Sequence, residues 1–221
     1  PTELSRSSHF SAAPSRIAHD KRGILATGEP IVELKVDVNR CSAELDRLAQ
    51  FSDVPAPAVQ RVVFTPTDLA ARGYLIELFE AAGLRVRIDP IGNIFARWEG
   101  ADPSLPALAT GSHTDAIPYS GKYDGTVGVL GGLEAIRTLQ QAGVKPRRSI
   151  ELIMFTSEEP TRFAYGCLGS RLLSGQLAPD AAATLTDADG QRLDAVRQNA
   201  GFKGMLADVK LQAGHYAAFV E

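Results

Sequence analysis

Apolar residues recur along the chain at two different periods, and these periods define its elements. Val38, Leu45 and Leu48 share one helical face and predict a helix over residues 37–51. A Pro-rich break follows at residues 52–57. Over residues 67–82, Leu69, Leu75, Ile76, Leu78 and Phe79 form the apolar side of a second helix, and Gly83 stands where a C-terminal stop belongs. Two short strands are expected at 84–89 and 93–99 around a turn at 90–92, and a third at 107–111. Residues 125–142 return to helical spacing through Val129, Leu133, Ile136 and Leu139. Gly125, Gly128, Gly131 and Gly132 are costly inside such a helix, so close packing on a sheet or approach to a ligand is expected there. The apolar run at 149–156 reads as a strand buried on both faces. Further helices are expected at 165–173 and 189–199. Strands alternating with helices give an α/β class with a layered sheet. Residues 1–28 are rich in Ser, Ala, Arg and His without a period and read as a flexible arm.

Three polar clusters fall at the ends of predicted elements. Gly111-Ser112-His113-Thr114-Asp115 follows a strand, Lys122-Tyr123-Asp124-Gly125 precedes the glycine-rich helix, and Ser157-Glu158-Glu159-Pro160 follows the buried strand. Ligands of open α/β sheets bind at the carboxyl ends of strands, so the three clusters can converge. Imidazole and carboxylates suit Zn²⁺ or Mn²⁺ and metal-assisted hydrolysis. On this reading His113 supplies a nitrogen and Asp124 a bridging carboxylate, one glutamate is a ligand and the other a proton acceptor, and Asp115 holds the second imidazole nitrogen. Each cluster has a plain alternative. A His-X-Asp triplet alone is weak, Asp-Gly is normally a turn, and a Glu-Glu pair is usually a solvated helix start. Their joint placement at strand ends favours the metal site.

Composition narrows the field only a little. A net charge of −3 argues against nucleic acid as a partner. Two cysteines, Cys41 and Cys167, are too few for a disulfide framework and are read as free thiols. No apolar run approaches the ~18 residues of a membrane span. A cytoplasmic location is the default expectation, and an organelle or secretory leader removed ahead of Pro1 is the alternative.

The run GSHTDAIPYSGKYDGTVGVLGGLEAI from Gly111, with FTSEEPTRFAYGCLGSRLLSG from Phe155, resembles the signature of dinuclear metal amidohydrolases. That group comprises the allantoate deiminases, N-carbamoyl-amino-acid hydrolases and plant-type ureidoglycolate amidohydrolases, and the wording is most similar to the last. The resemblance covers the chain from about Cys41 onward. It implies a mixed, layered sheet with helices on both faces, the N-terminal part of a metallopeptidase-like catalytic domain, with residues 1–36 an arm and 37–221 an incomplete catalytic domain. It implies His113 on one metal, Asp124 bridging two, Glu159 on the second, Glu158 as general base and Asp115 orienting His113. It further implies a cis peptide at Asp124–Gly125, two divalent ions (Mn²⁺ first, Zn²⁺ second) and a small ureido substrate. The activity implied is hydrolysis of ureidoglycolate to glyoxylate, ammonia and carbon dioxide. Arg162 and Gly169-Ser170-Arg171 match positions near the site without an assigned contact.

Family members continue into a segment with a further metal-binding histidine, a dimerisation domain and a last histidine ligand. The sequence departs from them by stopping at Glu221, so the dimerisation domain is expected to be absent and the isolated chain to hold metal weakly. The full-length relative is expected to be a homodimer. His215, His9 and His19 are expected to be surface or packing histidines. Two other functions stay open: allantoate or N-carbamoyl-L-amino-acid hydrolysis on the same clusters, and a non-catalytic fragment or interaction subunit.

Overall fold

The structure is a computed structural model that describes residues 34–220. Most of the arm expected at the N-terminus lies outside the described residues. In chain order the elements are α1 (Val38–Ala49), β1 (Val59–Arg61), α2 (Pro66–Ala81), β2 (Arg85–Ile88), β3 (Ile94–Trp98), β4 (Ala107–His113), β5 (Ala116–Ser120), α3 (Thr126–Gln141), β6 (Ile150–Phe155), α4 (Leu168–Ser174), α5 (Pro179–Thr184), α6 (Leu193–Asn199), a 3₁₀ turn (Leu206–Val209) and β7 (Tyr216–Val220). No helix among the described residues is long and apolar enough to cross a membrane.

Five strands form a mixed sheet in the order β2-β3-β6-β4-β7. β3 runs antiparallel to β2 and β6, whereas β4 is parallel to both β6 and β7. Because strand side chains alternate in direction, β6 feeds two cores. Leu152 and Met154 join Ile94 and Ala96 beneath α1, α2 and α3. Ile153 joins Phe95 and Ala109 beneath the helices that come after β6. This double coverage explains the apolar run Leu152–Phe155 in β6 and is the layered mixed sheet with helices on both faces expected from the sequence.

The helix boundaries have local causes. Asp37 caps α1 by accepting from Arg40 N at 3.0 Å. Thr65 caps α2, with Pro66 in its first turn. α3 packs close to the sheet where its glycines require it: a Cβ on Gly128 would lie 2.5 Å from Ser112 Cβ, and one on Gly132 2.7 Å from Leu152 Cδ1. Gly131 has nothing within 4 Å and needs no such explanation.

Several expectations are corrected. Val38 is 66% exposed and lies off the buried face of α1 formed by Leu45 and Leu48. The helix expected from residue 165 begins only at Leu168, because Cys167 is left-handed at φ 56°. The helix expected at 189–199 begins at Leu193. Ahead of it, Asp187 accepts the backbone N–H groups of Asp189 and Gln191, making a turn closed by a Thr186–Arg192 bridge. β1, β5, α5 and β7 were not anticipated by the apolar pattern.

Candidate metal centre

β4 and β6 are parallel neighbours with His113 opposite Phe155, so the residues just beyond each strand emerge at the same edge of the sheet. His113 is the last residue of β4 and is buried. Glu158 and Glu159 lie three and four residues beyond β6, after Ser157 turns the chain at φ 51°. One potential ligand atom from each of His113, Glu158 and Glu159 lies within 4.8 Å of the others. His113 Nε2 is 3.5 Å from Glu158 Oε2.

Asp115 organises this group. Its carbonyl oxygen lies 3.0 Å from His113 Nδ1. A carbonyl only accepts, so Nδ1 carries a proton, and in the neutral imidazole this leaves Nε2 to present its lone pair toward the glutamates. The Asp115 carboxylate accepts the backbone N–H groups of Glu158 at 3.2 Å and Glu159 at 3.0 Å. Asp115 thus meets the second imidazole nitrogen, as expected of this residue, with its main-chain carbonyl rather than its carboxylate. Its Oδ1 stands 3.7 Å from Nδ1, and the main-chain carbonyl, held at the right distance by the tight His113-Thr114-Asp115 turn, takes that bond. Burial pushes the Asp115 carboxyl up to about 6 against the opposing pull of His113 and the two amides. Glu159 is likewise raised, by burial first and then by the charges of Glu158 and Asp124. Carboxylates crowded in this way repel one another and are relieved by a cation.

Asp124 is exposed on the turn before α3 and lies outside the three-residue group. Its neighbour is tightly placed: a Cβ on Gly125 would stand 2.5 Å from His113 Nε2. The cis peptide expected at Asp124–Gly125 is not found; among the described residues the only cis bond precedes Pro57. The chain reverses instead through a γ-turn, in which Thr126 N donates to Asp124 O at 2.6 Å across Gly125 at φ 64°, ψ −40°.

Further residues support the site without having been singled out. Cys167 N donates to Glu158 O at 2.7 Å and its thiol to Glu158 Oε1 at 3.2 Å. Asn93 Oδ1 accepts from Thr156 N at 2.8 Å, holding the chain ahead of the Glu-Glu pair. Arg72 pairs with Asp68 at 2.8 Å and reaches Thr156 Oγ1 at 3.3 Å. Charged residues inside a helical pattern look like a solvent face, and nothing in their spacing marks these as buried. Arg162 is engaged by Asp187 and the Val63 carbonyl, and Arg171 by Tyr165, and neither makes a hydrogen bond to the three-residue group. A cavity of about 770 Å³ adjoins Glu158 and Cys167, and His215 stands at its wall, exposed and edge-on to Tyr216. His215 does not join the His113–Glu158–Glu159 group.

The donor set of one imidazole with a free lone pair and two adjacent carboxylates fits a divalent cation of the Zn²⁺ or Mn²⁺ type.

Comparison with known proteins agrees with this chemistry. Residues 93–195 match peptidase family M28. The ureidoglycolate hydrolase of Arabidopsis thaliana is 51% identical over 194 residues, which is 85% of this chain and 41% of the relative. The N-carbamoyl-L-amino-acid amidohydrolase of Paenarthrobacter aurescens is 39% identical over 188 residues, 85% of this chain and 45% of the relative. The crystal structure of AtUAH in complex with glyoxylate superimposes with a TM-score of 0.81 at 49% identity, covering 84% of this chain and 45% of that one. The chain thus spans less than half the length of these relatives. It belongs to the ureidoglycolate hydrolase and N-carbamoyl-L-amino-acid amidohydrolase family of metallopeptidase-like hydrolases.

Proposed function

We propose that this chain carries the His113, Asp124, Glu158 and Glu159 portion of a divalent-metal amidohydrolase site, and that the substrate of the whole protein is ureidoglycolate. The observation that carries the reading is the convergence of His113, Glu158 and Glu159 within 4.8 Å at one sheet edge, held from beneath by Asp115. His113, Asp124 and Glu159 would hold the divalent ions, of which Mn²⁺ is the first choice. A cation held there supplies Lewis-acid polarisation of a carbonyl and raises the acidity of water. Glu158 is the proton carrier. Its backbone N–H is fixed by Asp115, its carbonyl oxygen by Cys167 N, and its Oε1 by the Cys167 thiol. So oriented, it accepts a proton from water and returns it to the leaving nitrogen.

Hydrolysis of the ureido carbonyl consumes one water and releases ammonia, carbon dioxide and hydroxyglycine. Hydroxyglycine is a carbinolamine that expels a second ammonia to become glyoxylate. AtUAH has been crystallised with both (S)-hydroxyglycine and glyoxylate, which supports this order for the relative. In this reading the whole protein is a homodimer acting in the cytoplasm.

The test is Mn²⁺-dependent release of glyoxylate from ureidoglycolate, run beside allantoate and an N-carbamoyl-L-amino acid. Turnover of ureidoglycolate that chelation abolishes and Mn²⁺ restores supports the proposal. Preferential release of amino acid from the carbamoyl compound would reassign the substrate. A chain that takes up no divalent ion would overturn the metal reading itself.

A further inference from the structure

Arg61, the last residue of β1, is among the largest fully buried side chains of the protein, at 1% exposure. Removing a guanidinium from water costs several kcal/mol, and buried arginines ordinarily recover this against a carboxylate. Arg61 instead donates to three main-chain carbonyls. Nη1 reaches Leu48 O at 3.0 Å, which also accepts from Phe51 N at 3.2 Å, and Phe51 O at 2.6 Å just beyond the end of α1. Nε reaches Thr114 O at 2.7 Å.

Thr114 stands between His113 and Asp115, so the guanidinium grips the middle peptide of the turn that presents the imidazole and caps the Glu-Glu pair. Pairing of β1 with β5 sets Arg61 opposite Ala116, the residue after Asp115. The turn is therefore held twice by one residue, through strand pairing after Asp115 and through the side chain before it. Nothing in the proton chemistry of the site uses this buried cation, yet its only side-chain hydrogen bonds among the described residues join the end of α1 to the site turn.

We propose that Arg61 is a positioning residue for the metal centre: its guanidinium fixes the Thr114 peptide and thereby the direction of His113 Nε2 and of the Asp115 carboxylate. The inference rests on the metal reading of His113, Glu158 and Glu159. It differs from a purely structural role, in which Arg61 only fastens α1 and its loss leaves the site geometry intact.

The experiment compares the 221-residue chain with Arg61→Lys, Arg61→Met and Arg137→Met. The last variant loses the 2.8 Å ion pair with Glu44 that docks α1 on α3, without touching the turn. Co²⁺ affinity and visible absorption are measured on each, together with the metal-free imidazole resonances of His113 by nitrogen-15 NMR. Folding is checked by circular dichroism. Both Arg61 variants are expected to bind Co²⁺ about 10- to 100-fold more weakly with an altered spectrum. They are also expected to shift or broaden the His113 Nδ1–H signal, while Arg137→Met lowers only the melting temperature. Unchanged Co²⁺ affinity and an unchanged His113 signal in the folded Arg61 variants would overturn the proposal. If Arg61→Met does not fold, Arg61→Lys decides. Should the parent chain bind no Co²⁺, the metal reading fails by itself, and the His113 signal alone upholds or overturns the positioning role.

Discussion

Asp115 and Glu159 are 44 residues apart, and the carboxylate of the first accepts the backbone N–H of the second at 3.0 Å. With the matching bond to Glu158 N and the carbonyl contact to His113, one buried residue ties together the ends of two neighbouring strands. Replacing it by alanine leaves two amides without acceptors, at about 1–3 kcal/mol each where buried. Asp115→Ala is expected to lower both the melting temperature and the affinity for divalent metal. Asp115→Asn keeps one acceptor oxygen and should fall between. Calorimetric metal titration and thermal melts on the two variants check the order.

Gly125 combines a γ-turn conformation with a Cβ direction that points into the His113 ring. Gly125→Ala is expected to cost about 1–3 kcal/mol from backbone strain. Because the clash falls on Nε2, it should also reduce Co²⁺ affinity more than its stability loss alone would. Gly143→Ala, also at positive φ but with open space around its Cβ, is the control that loses stability without losing metal.

Acid sensitivity is expected at the α1–α3 junction. Glu134 accepts from Arg40 through both oxygens, at 2.8 Å each, and from Asp37 N at 2.9 Å. Its carboxyl is lowered from the ordinary glutamate value: burial acts to raise it, and the Arg40 and Asp37 hydrogen bonds prevail. A depressed folded-state pKa means that the folded chain releases this proton more readily than the unfolded one. The stability it confers is full above the unfolded value of about 4.3 and lost as pH falls through the lower folded value. Glu134→Gln should therefore destabilise by about 1.5–3 kcal/mol at pH 7. The gap from the parent should shrink at pH 3, as read from urea unfolding at the two pH values.

Leu152 is fully buried on β6, and α3 approaches it through Gly132. Rigid backbone on one side and a glycine on the other leave little to collapse into a void. Leu152→Ala is expected to cost about 2–5 kcal/mol by urea denaturation.

The parts legible in the sequence were those with an unbroken period. α2, α3 and β6 carry long apolar patterns, and their boundaries fell within a residue or two of expectation. His113, Glu158 and Glu159 were legible because strand ends concentrate chemistry, and the structure brings them together. β1, with three residues, and β5, with Pro118 inside it, are too short or irregular for a period to show. The burial of Arg61 and Arg72 leaves no mark in the local pattern because partners that meet them lie far along the chain: Thr114 for Arg61, Gly92 and Thr156 for Arg72. Burial of a charge is decided by what meets it, and a local pattern holds no record of that. The role of Asp115 was legible in kind but not in detail, since which of its oxygens faces His113 depends on the turn between them.

Strand β6, with Leu152 and Ile153 directed into opposite cores, divides the protein into two layers that share one wall. Local opening of either layer leaves the wall covered on its other side and still laddered to β3 and β4. The amides of β6 are then released to solvent only when the whole unit unfolds, whereas helices α4–α6 and α1–α3 open with free energies of their own. In hydrogen–deuterium exchange this makes the strand that leads to Glu158 and Glu159 the slowest segment, and it lets the two helical layers fluctuate, or diverge in sequence, without moving the point from which those glutamates project.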